Sequence, residues 1–387
     1  MRNVIEIVKD ADRYRSSVIN LQASENAVSP NVIRAIGSDF ASRYSHIENG
    51  VNDYGGTRFA EELEETVSRK TSELFGLKHA EVRPLSGHIA AMTVLAALVR
   101  RGESIMKIPE SVGGYTGYSG NYLPKMMNFK SYDIPVTADG FVDYDGLAKQ
   151  AEYIRPKMIL LGQSIFVKSY DMARIREVCD QNSCIIGYDA SHVMGLIAGG
   201  EFQKDIKKAD IIFGSTHKTF FGPQGGLILT DDDSLYRRVE ENITWKTMDN
   251  YNIARMAGVG VAVEEMMKYG KEYAPRVIRN ARNLAEALNE HIHIRYEPWY
   301  TDSHQILIEP SWLSSHGYDF VKFSRMMEDN GIIVDRIGRI GTAEITRMGI
   351  DDVDELAAMM IDAFKGIDVK DRVNKFVRNM KMRYYES

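Results

Sequence analysis

Through the middle of the chain, short apolar runs alternate with stretches of helical period. Glu81–Pro84, Ser104–Ile108, Met158–Leu161, Cys184–Tyr188, Ile211–Gly214 and Gly226–Leu229 have the length and composition of buried strands. Amphipathic segments separate them. This alternation predicts an α/β domain around a mostly parallel sheet, whose functional groups gather where strand C-termini meet loops. Asp189 and Ser215 fall at such ends.

From about Ile253 to Leu288 the pattern is long and helical, and Pro275 predicts a break within it. Beyond that point HQILIEP and IIVDRIGRIGT read as strands, while VKFSRMMEDNG and DDVDELAAMMIDAFKGI read as helices. They suggest a smaller α+β unit. The pattern therefore predicts an N-terminal arm over 1–30, a large domain over 31–275 and a small C-terminal domain over 276–387. No internal repeat, low-complexity tract or Gly/Ser linker interrupts it.

Composition narrows the function. With 44% hydrophobic and 26% charged residues, 387 residues can bury a large core, and their number favours two packed domains. A formal net charge of −6 and the lack of a basic block give no footprint for nucleic acid, so small-molecule chemistry is expected. No run approaches the ~20 apolar residues of a membrane span, and the first residues lack a secretory apolar core. A cytoplasmic protein without a membrane partner is the expectation. Cys179 and Cys184 are the only cysteines, which excludes a disulfide framework. No metal is expected.

Two segments carry candidate chemistry. IIFGSTHKTFFGPQGG places Lys218 between a buried strand and a Phe-Phe-Gly-Pro turn. Partial desolvation there would lower the amine pKa and suit Schiff-base formation. Alone, such a lysine is an ordinary loop residue. CIIGYDASHVMGL ends a strand in Asp189, with His192 three residues on. A carboxylate at that place can pair with a protonated pyridine nitrogen and make a cofactor ring an electron sink.

Together, DASHVMGLIAGG and ADIIFGSTHKTFFGPQGGLIL resemble the cofactor-binding region of serine hydroxymethyltransferases. LQASENAVSPNVIRAIGS resembles the family's N-terminal motif, RYSHIENGVNDYGG its tyrosine-containing loop, VRPLSGHIAAM its phosphate turn and GRIGTAEITRMG its substrate-arginine segment. The resemblance covers roughly residues 20–235 and this last segment. It implies an α/β fold of the fold type I class of pyridoxal-phosphate-dependent transferases, with a mostly parallel sheet of the seven-stranded type in the large domain. It also implies pyridoxal 5'-phosphate as cofactor, an amino acid as substrate and a homodimer with composite active sites.

Residue by residue, the resemblance makes Lys218 the lysine that holds the cofactor, Asp189 the partner of its ring nitrogen and His217 a neighbour of its phosphate. Ser86 and Gly87 form the phosphate turn, where unpaired N–H groups and the helix dipole favour an anion. His88 stands where the family usually has a second serine, and could assist there. Tyr115 takes the place of a histidine stacked on the ring, and Ser164 matches a serine that contacts the cofactor. Arg339 matches the arginine that binds the substrate carboxylate, with Ser24 and His192 assisting. Tyr44 and Tyr54 match tyrosines that reach an active site across the dimer.

Departures from the family bear on the reaction. His46 occupies the place of the glutamate that handles the substrate hydroxyl proton, and Glu48 lies two residues away, so either could be the acid–base group. The chain passes almost directly from IIVDR into GRIGT, without the usual folate-associated loop. NITWKTMDNYN replaces the glycine-rich flap, and Gln224 replaces an arginine. These losses favour glycine-forming aldol cleavage of serine- or threonine-type β-hydroxy amino acids without folate. The alternatives are a tetrahydropterin-dependent hydroxymethyltransferase and a non-catalytic, cofactor-binding regulatory protein.

Overall fold

The computed structural model describes residues 2–48 and 50–386, the side chain of Glu48 excepted. Its contacts divide the chain into two compact units. One comprises Met1–Ala27 with Glu272–Tyr385, and the other Val28–Lys271 with Glu386–Ser387.

The larger unit is built on seven strands: β1 (His79–Glu81), β2 (Ser104–Lys107), β3 (Lys130–Asp133), β4 (Met158–Leu161), β5 (Ile185–Asp189), β6 (Ile211–Ser215) and β7 (Gly226–Thr230). Their order across the sheet is β1-β7-β6-β5-β4-β2-β3, with only β7 running against its neighbours. β4, β6 and β7 are buried throughout. Apolar side chains on both faces explain why these strands read as continuous hydrophobic runs.

Two strands differ from the sequence expectation. β3, with sequence Lys-Ser-Tyr-Asp, is largely exposed. It lies at the sheet edge, where polar side chains blunt further pairing, and therefore carries no apolar run to detect. β1 is His79–Glu81 rather than Glu81–Pro84, because proline cannot extend a ladder as a donor. The Pro84 carbonyl instead accepts from Gly226 N at 2.9 Å, just ahead of the Ser-Gly turn.

The smaller unit pairs Ile19–Asn20 in parallel with Ile332–Ile333, and Gln305–Leu307 antiparallel to Arg339–Gly341. The first pairing ties the N-terminal residues to the C-terminal part of the chain. A core including Leu21, Leu284, Leu288, Ile306, Phe323, Met327, Ile340, Leu356 and Met360 packs beneath. The expected single strand IIVDRIGRIGT is two strands. Asp335 Oδ1 accepts from Ile337 N at 3.0 Å and Arg339 N at 3.1 Å, and Gly338 has φ 84°, so the backbone turns between them.

The expected break at Pro275 does not occur. One helix runs Ile253–Asn289 with the proline inside. An interior proline costs roughly 3 kcal/mol. Here the flanking Tyr273, Ala274, Val277 and Ala281 are all buried, and that burial offsets the cost. The two cysteines do not form a framework, but they do form one local bridge, from Cys179 in the helix Met172–Asn182 to Cys184 just ahead of β5. No helix among the described residues is long and apolar enough to cross a membrane.

Candidate active site

The C-terminal ends of the parallel strands surround one cavity of about 210 Å³. Ser86, Gly87, His88, Tyr115, Gln163, Ser164, Asp189, Ser191, His192, Ser215, His217 and Lys218 line it. Nine of these are residues that the sequence pattern or family resemblance assigned to the cofactor: Ser86, Gly87, His88, Tyr115, Ser164, Asp189, His192, His217 and Lys218. All belong to the larger unit.

Ser86 is the N-cap of the helix Gly87–Leu98, and its Oγ accepts from Ile89 N at 3.2 Å. A Cβ on Gly87 would stand 2.9 Å from Ser215. Only glycine permits that approach between the helix start and the end of β6. Ser86, Gly87 and His88 line the cavity, so the helix start, where unpaired amide groups favour an anion, borders it. His88 Nδ1 lies 3.0 Å from Tyr115 Oη, linking the helix start to the Tyr115 ring, which also lines the cavity.

Asp189 ends β5 and is buried. Its Oδ1 accepts from Ser191 N at 3.0 Å, and its Oδ2 accepts from Tyr118 Oη at 2.6 Å. Tyr118 is fully buried. Desolvation, followed by the neighbouring Asp189 charge, pushes its hydroxyl well above the ordinary tyrosine range, so it stays a donor. Burial and the same charge also raise Tyr115. Gly162 follows β4 with φ 133°, and a Cβ there would meet Asp189 at 2.6 Å.

The Lys218 loop is fixed by its own backbone. Thr216 N donates to Gly225 O at 3.1 Å, Gly222 N to Thr216 O at 2.7 Å and Phe221 N to Lys218 O at 3.1 Å. Thr219 Oγ1 donates to His192 O at 2.9 Å. Thr216 and Thr219 are buried, whereas His217 and Lys218 are partly exposed and line the cavity. An amine, a carboxylate with two donors, a helix N-terminus beside two histidines and a tyrosine ring thus converge. That donor set fits pyridoxal 5'-phosphate in each part: aldehyde, ring nitrogen, phosphate and ring face.

A family model described as serine hydroxymethyltransferase matches residues 1–354. The chain belongs to the serine hydroxymethyltransferase family. A relative named serine hydroxymethyltransferase from Methanothermobacter marburgensis is 34% identical, with 98% of this chain and 94% of the relative covered. Proteins of the same name from Pyrococcus abyssi and Pyrobaculum calidifontis are each 32% identical, covering 98% and 95% of this chain and 94% and 90% of their own lengths. The alignment with the first spans 405 positions against 387 residues here, so this chain lacks segments that the relative has. Ile332–Ile333 and Arg339–Gly341 are joined by only five residues, the connection in which the resemblance led to the expectation of a missing loop.

The remaining family positions lie outside the cavity lining. Tyr44 and Tyr54 pack ring against ring at 4.7 Å and line a separate, open groove of about 1080 Å³ with Phe40, Phe59 and Leu63. Tyr44 Oη donates to Asp249 Oδ2 at 2.8 Å. His46 is buried beside them in sequence, with Nδ1 2.7 Å from Asp53 Oδ2. Glu48 belongs to a short strand, but its side chain lies outside the described residues.

Ser24 and Arg339 belong to the smaller unit. Gly341 N donates to Leu21 O at 2.7 Å, and a Cβ on Gly341 would meet Ala23 at 2.5 Å, so the segment before Ser24 rests directly on the arginine's strand. Arg339 is buried, and its Nε donates to Asp335 Oδ2 at 2.6 Å. Nearby in sequence, Glu344 Oε2 accepts from Asn20 Nδ2 at 2.7 Å, and the same amide group donates to Glu25 Oε2 at 3.1 Å. Burial pushes the Glu344 carboxyl up to about 7, against the Asn20 hydrogen bond and the Arg15 charge.

Sequence reading missed Gln163 and Ser191 at the cavity, Tyr118 buried against Asp189, and Glu344 and Asp53 elsewhere. Tyr118 had a signal: it follows Tyr115 by three residues in a Gly-rich turn, which places both on one side of a 3₁₀ turn over Thr116–Tyr118. Glu344 had none, since a carboxylate in GTAEITR looks like any first-turn acid. Among the described residues, no group of three or more His, Cys, Asp or Glu side chains is placed to hold a metal ion.

Proposed function

We propose that this chain binds pyridoxal 5'-phosphate through Lys218 and acts on the Cα–Cβ bond of serine-type β-hydroxy amino acids, with a tetrahydropterin as one-carbon carrier. The convergence of Lys218, Asp189, Tyr115 and the Ser86–Gly87 helix start on one cavity carries the cofactor assignment. The names of the relatives, matched over almost their full lengths, favour hydroxymethyl transfer. When bound, the cofactor supplies an electron sink for the pair released at Cα.

The chain's own groups do the rest. The helix start and His217 bind the phosphate, Asp189 holds the ring nitrogen with Tyr118 behind it, and Tyr115 covers a ring face. Arg339 offers its planar guanidinium to the substrate carboxylate, and Ser24 and His192 assist. His46, at the family's glutamate position, takes the proton of the substrate hydroxyl. Exposed Tyr44, Tyr54 and Phe59 along an open groove support a homodimer in which these groups serve the partner's cavity.

A second reading is cleavage of threonine-type substrates without a pterin. It is favoured by the short Ile333–Arg339 connection and by histidine in place of glutamate. Incubating the holoprotein with L-serine, L-threonine and DL-phenylserine, each with and without a tetrahydropterin, separates the two. Serine turnover that rises with the pterin is expected. Cleavage of threonine and phenylserine at one rate with or without it, and no serine turnover, overturns the first reading in favour of the second.

A further inference from the structure

The loop around His46 folds on itself as a small hairpin. Ile47 pairs with Asn52 and Glu48 with Val51, antiparallel. That register places residue 46 opposite residue 53, and the backbone continues it: Asp53 N donates to His46 O at 3.1 Å. Directly opposed residues project from the same face, within reach of each other. The side chains do meet, with His46 Nδ1 2.7 Å from Asp53 Oδ2.

The rest of the hairpin holds this pair in place. Asn52 Oδ1 accepts from Tyr54 N at 3.1 Å, while its Nδ2 donates to Ser45 Oγ at 2.9 Å. The Trp245 ring meets the imidazole edge-on, with centroids 5.0 Å apart. Trp245 belongs to the segment that replaces the family's glycine-rich flap, and the same segment supplies Asp249 to Tyr44. Two departures from the family therefore touch each other. The His46 side chain is 9% exposed, but the Asp53 side chain is 56% exposed, so solvent reaches the carboxylate while the ring stays packed.

We propose that Asp53 is a positioning residue that fixes His46 as the Nδ1–H tautomer and so leaves the lone pair on Nε2 for the substrate hydroxyl proton. This rests on the reading of His46 as the acid–base group of Cα–Cβ chemistry. An anionic carboxylate has only acceptors, so the 2.7 Å contact requires the proton on Nδ1. The neutral ring then has one acceptor left. As the Cα–Cβ bond breaks, the hydroxyl proton moves to Nε2, the oxygen's electron pair forms the carbonyl, and the bond pair stays on Cα. The imidazolium so formed keeps both protons and faces the Asp53 charge, which stabilises it. A lone glutamate needs no such partner. A histidine does, because its second nitrogen must be held in one protonation state.

The test uses the full-length holoenzyme with Asp53→Asn, Asp53→Glu and His46→Ala. Asp53→Asn is expected to lower kcat for the substrate that turns over by roughly 100-fold with KM within about twofold, and Asp53→Glu to restore much of it. Independently, nitrogen-15 shifts of labelled histidine, assigned to His46 by the Ala variant, should show Nδ1 protonated and Nε2 bare in the native protein. They should show a mixed or reversed tautomer in Asp53→Asn. A native Nε2–H tautomer, or wild-type kcat in Asp53→Asn, overturns the proposal. If no β-hydroxy amino acid reacts, the functional reading falls, and the nitrogen-15 shifts alone decide whether Asp53 sets the tautomer.

Discussion

The two compact units each bury charge, and they do so in opposite ways. In the larger unit, Asp189 meets two donors, Tyr118 Oη and Ser191 N, and faces a cavity that also holds an amine. In the smaller unit, Glu344 has one donor in Asn20, which it shares with a second carboxylate, Glu25. The first carboxylate has a donor on each of its oxygens. The second is surrounded so that its charged form is penalised, and its carboxyl is pushed up to about 7. Position in the sequence gives no hint of this difference. The donors around each group decide it.

The largest effect should come from the larger unit's amine. Lys218→Ala is expected to abolish covalent attachment of pyridoxal 5'-phosphate, read as loss of the yellow absorbance that survives gel filtration, while the fold persists. Borohydride reduction of the native protein followed by peptide mapping should label Lys218. A label on a different lysine would break the assignment of this cavity and, with it, the contrast with the smaller unit.

Next comes the arginine of the smaller unit. Arg339→Ala should weaken amino-acid binding by about 2–5 kcal/mol, the usual cost of removing one partner from a desolvated charged pair. Cofactor affinity should hold within about threefold. It also leaves Asp335 buried without its ion-pair partner. Arg339→Lys therefore serves as the control, keeping the charge and losing the fork. Equal loss of cofactor and amino-acid binding in both variants would mean that Arg339 acts on the fold rather than on substrate.

How much of this was legible in the sequence follows the same physical line. The buried parallel strands β4, β5 and β6 could be read because strands with two covered faces are mostly apolar, and β7, antiparallel but buried throughout, reads the same way. β3 could not, because an edge strand is free to be polar. The cavity residues around Lys218 were legible through their resemblance to a family, and the backbone shows why glycine is needed beside them: Gly87 and Gly162 sit where a Cβ would strike Ser215 or Asp189. Tyr118 and Asp53 escaped because each acts through one hydrogen bond to another site residue, 71 and 7 positions away in the chain. Pro275 misled because a local rule was set against burial along a 37-residue helix, and the burial won.

The smallest expected effect tests the smaller unit's carboxylate and has a sign fixed by linkage. The Glu344 carboxyl is raised from 4.5 to about 7 in the folded chain, so between those values the folded state binds more protons than the unfolded state. Stability from this group is then fully present below about pH 4.5 and falls as pH rises toward 7, above which no further change is expected from it. At 1.36 kcal/mol per pKa unit, and discounted for partial exposure, the loss amounts to about 2–3 kcal/mol. Glu344→Gln keeps an acceptor for Asn20 Nδ2 and removes the ionisation. The variant should match the native protein near pH 4.5 and exceed its thermal midpoint near pH 8, with the gap opening between those two pH values. Arg15 pulls the other way by attracting the ionised form, and Glu25 adds to the penalty, so Glu25→Gln should narrow the gap without closing it. If native protein and Glu344→Gln show the same slope of stability against pH, Glu344 is ionised at no cost. The contrast drawn between it and Asp189 would then have no energetic content.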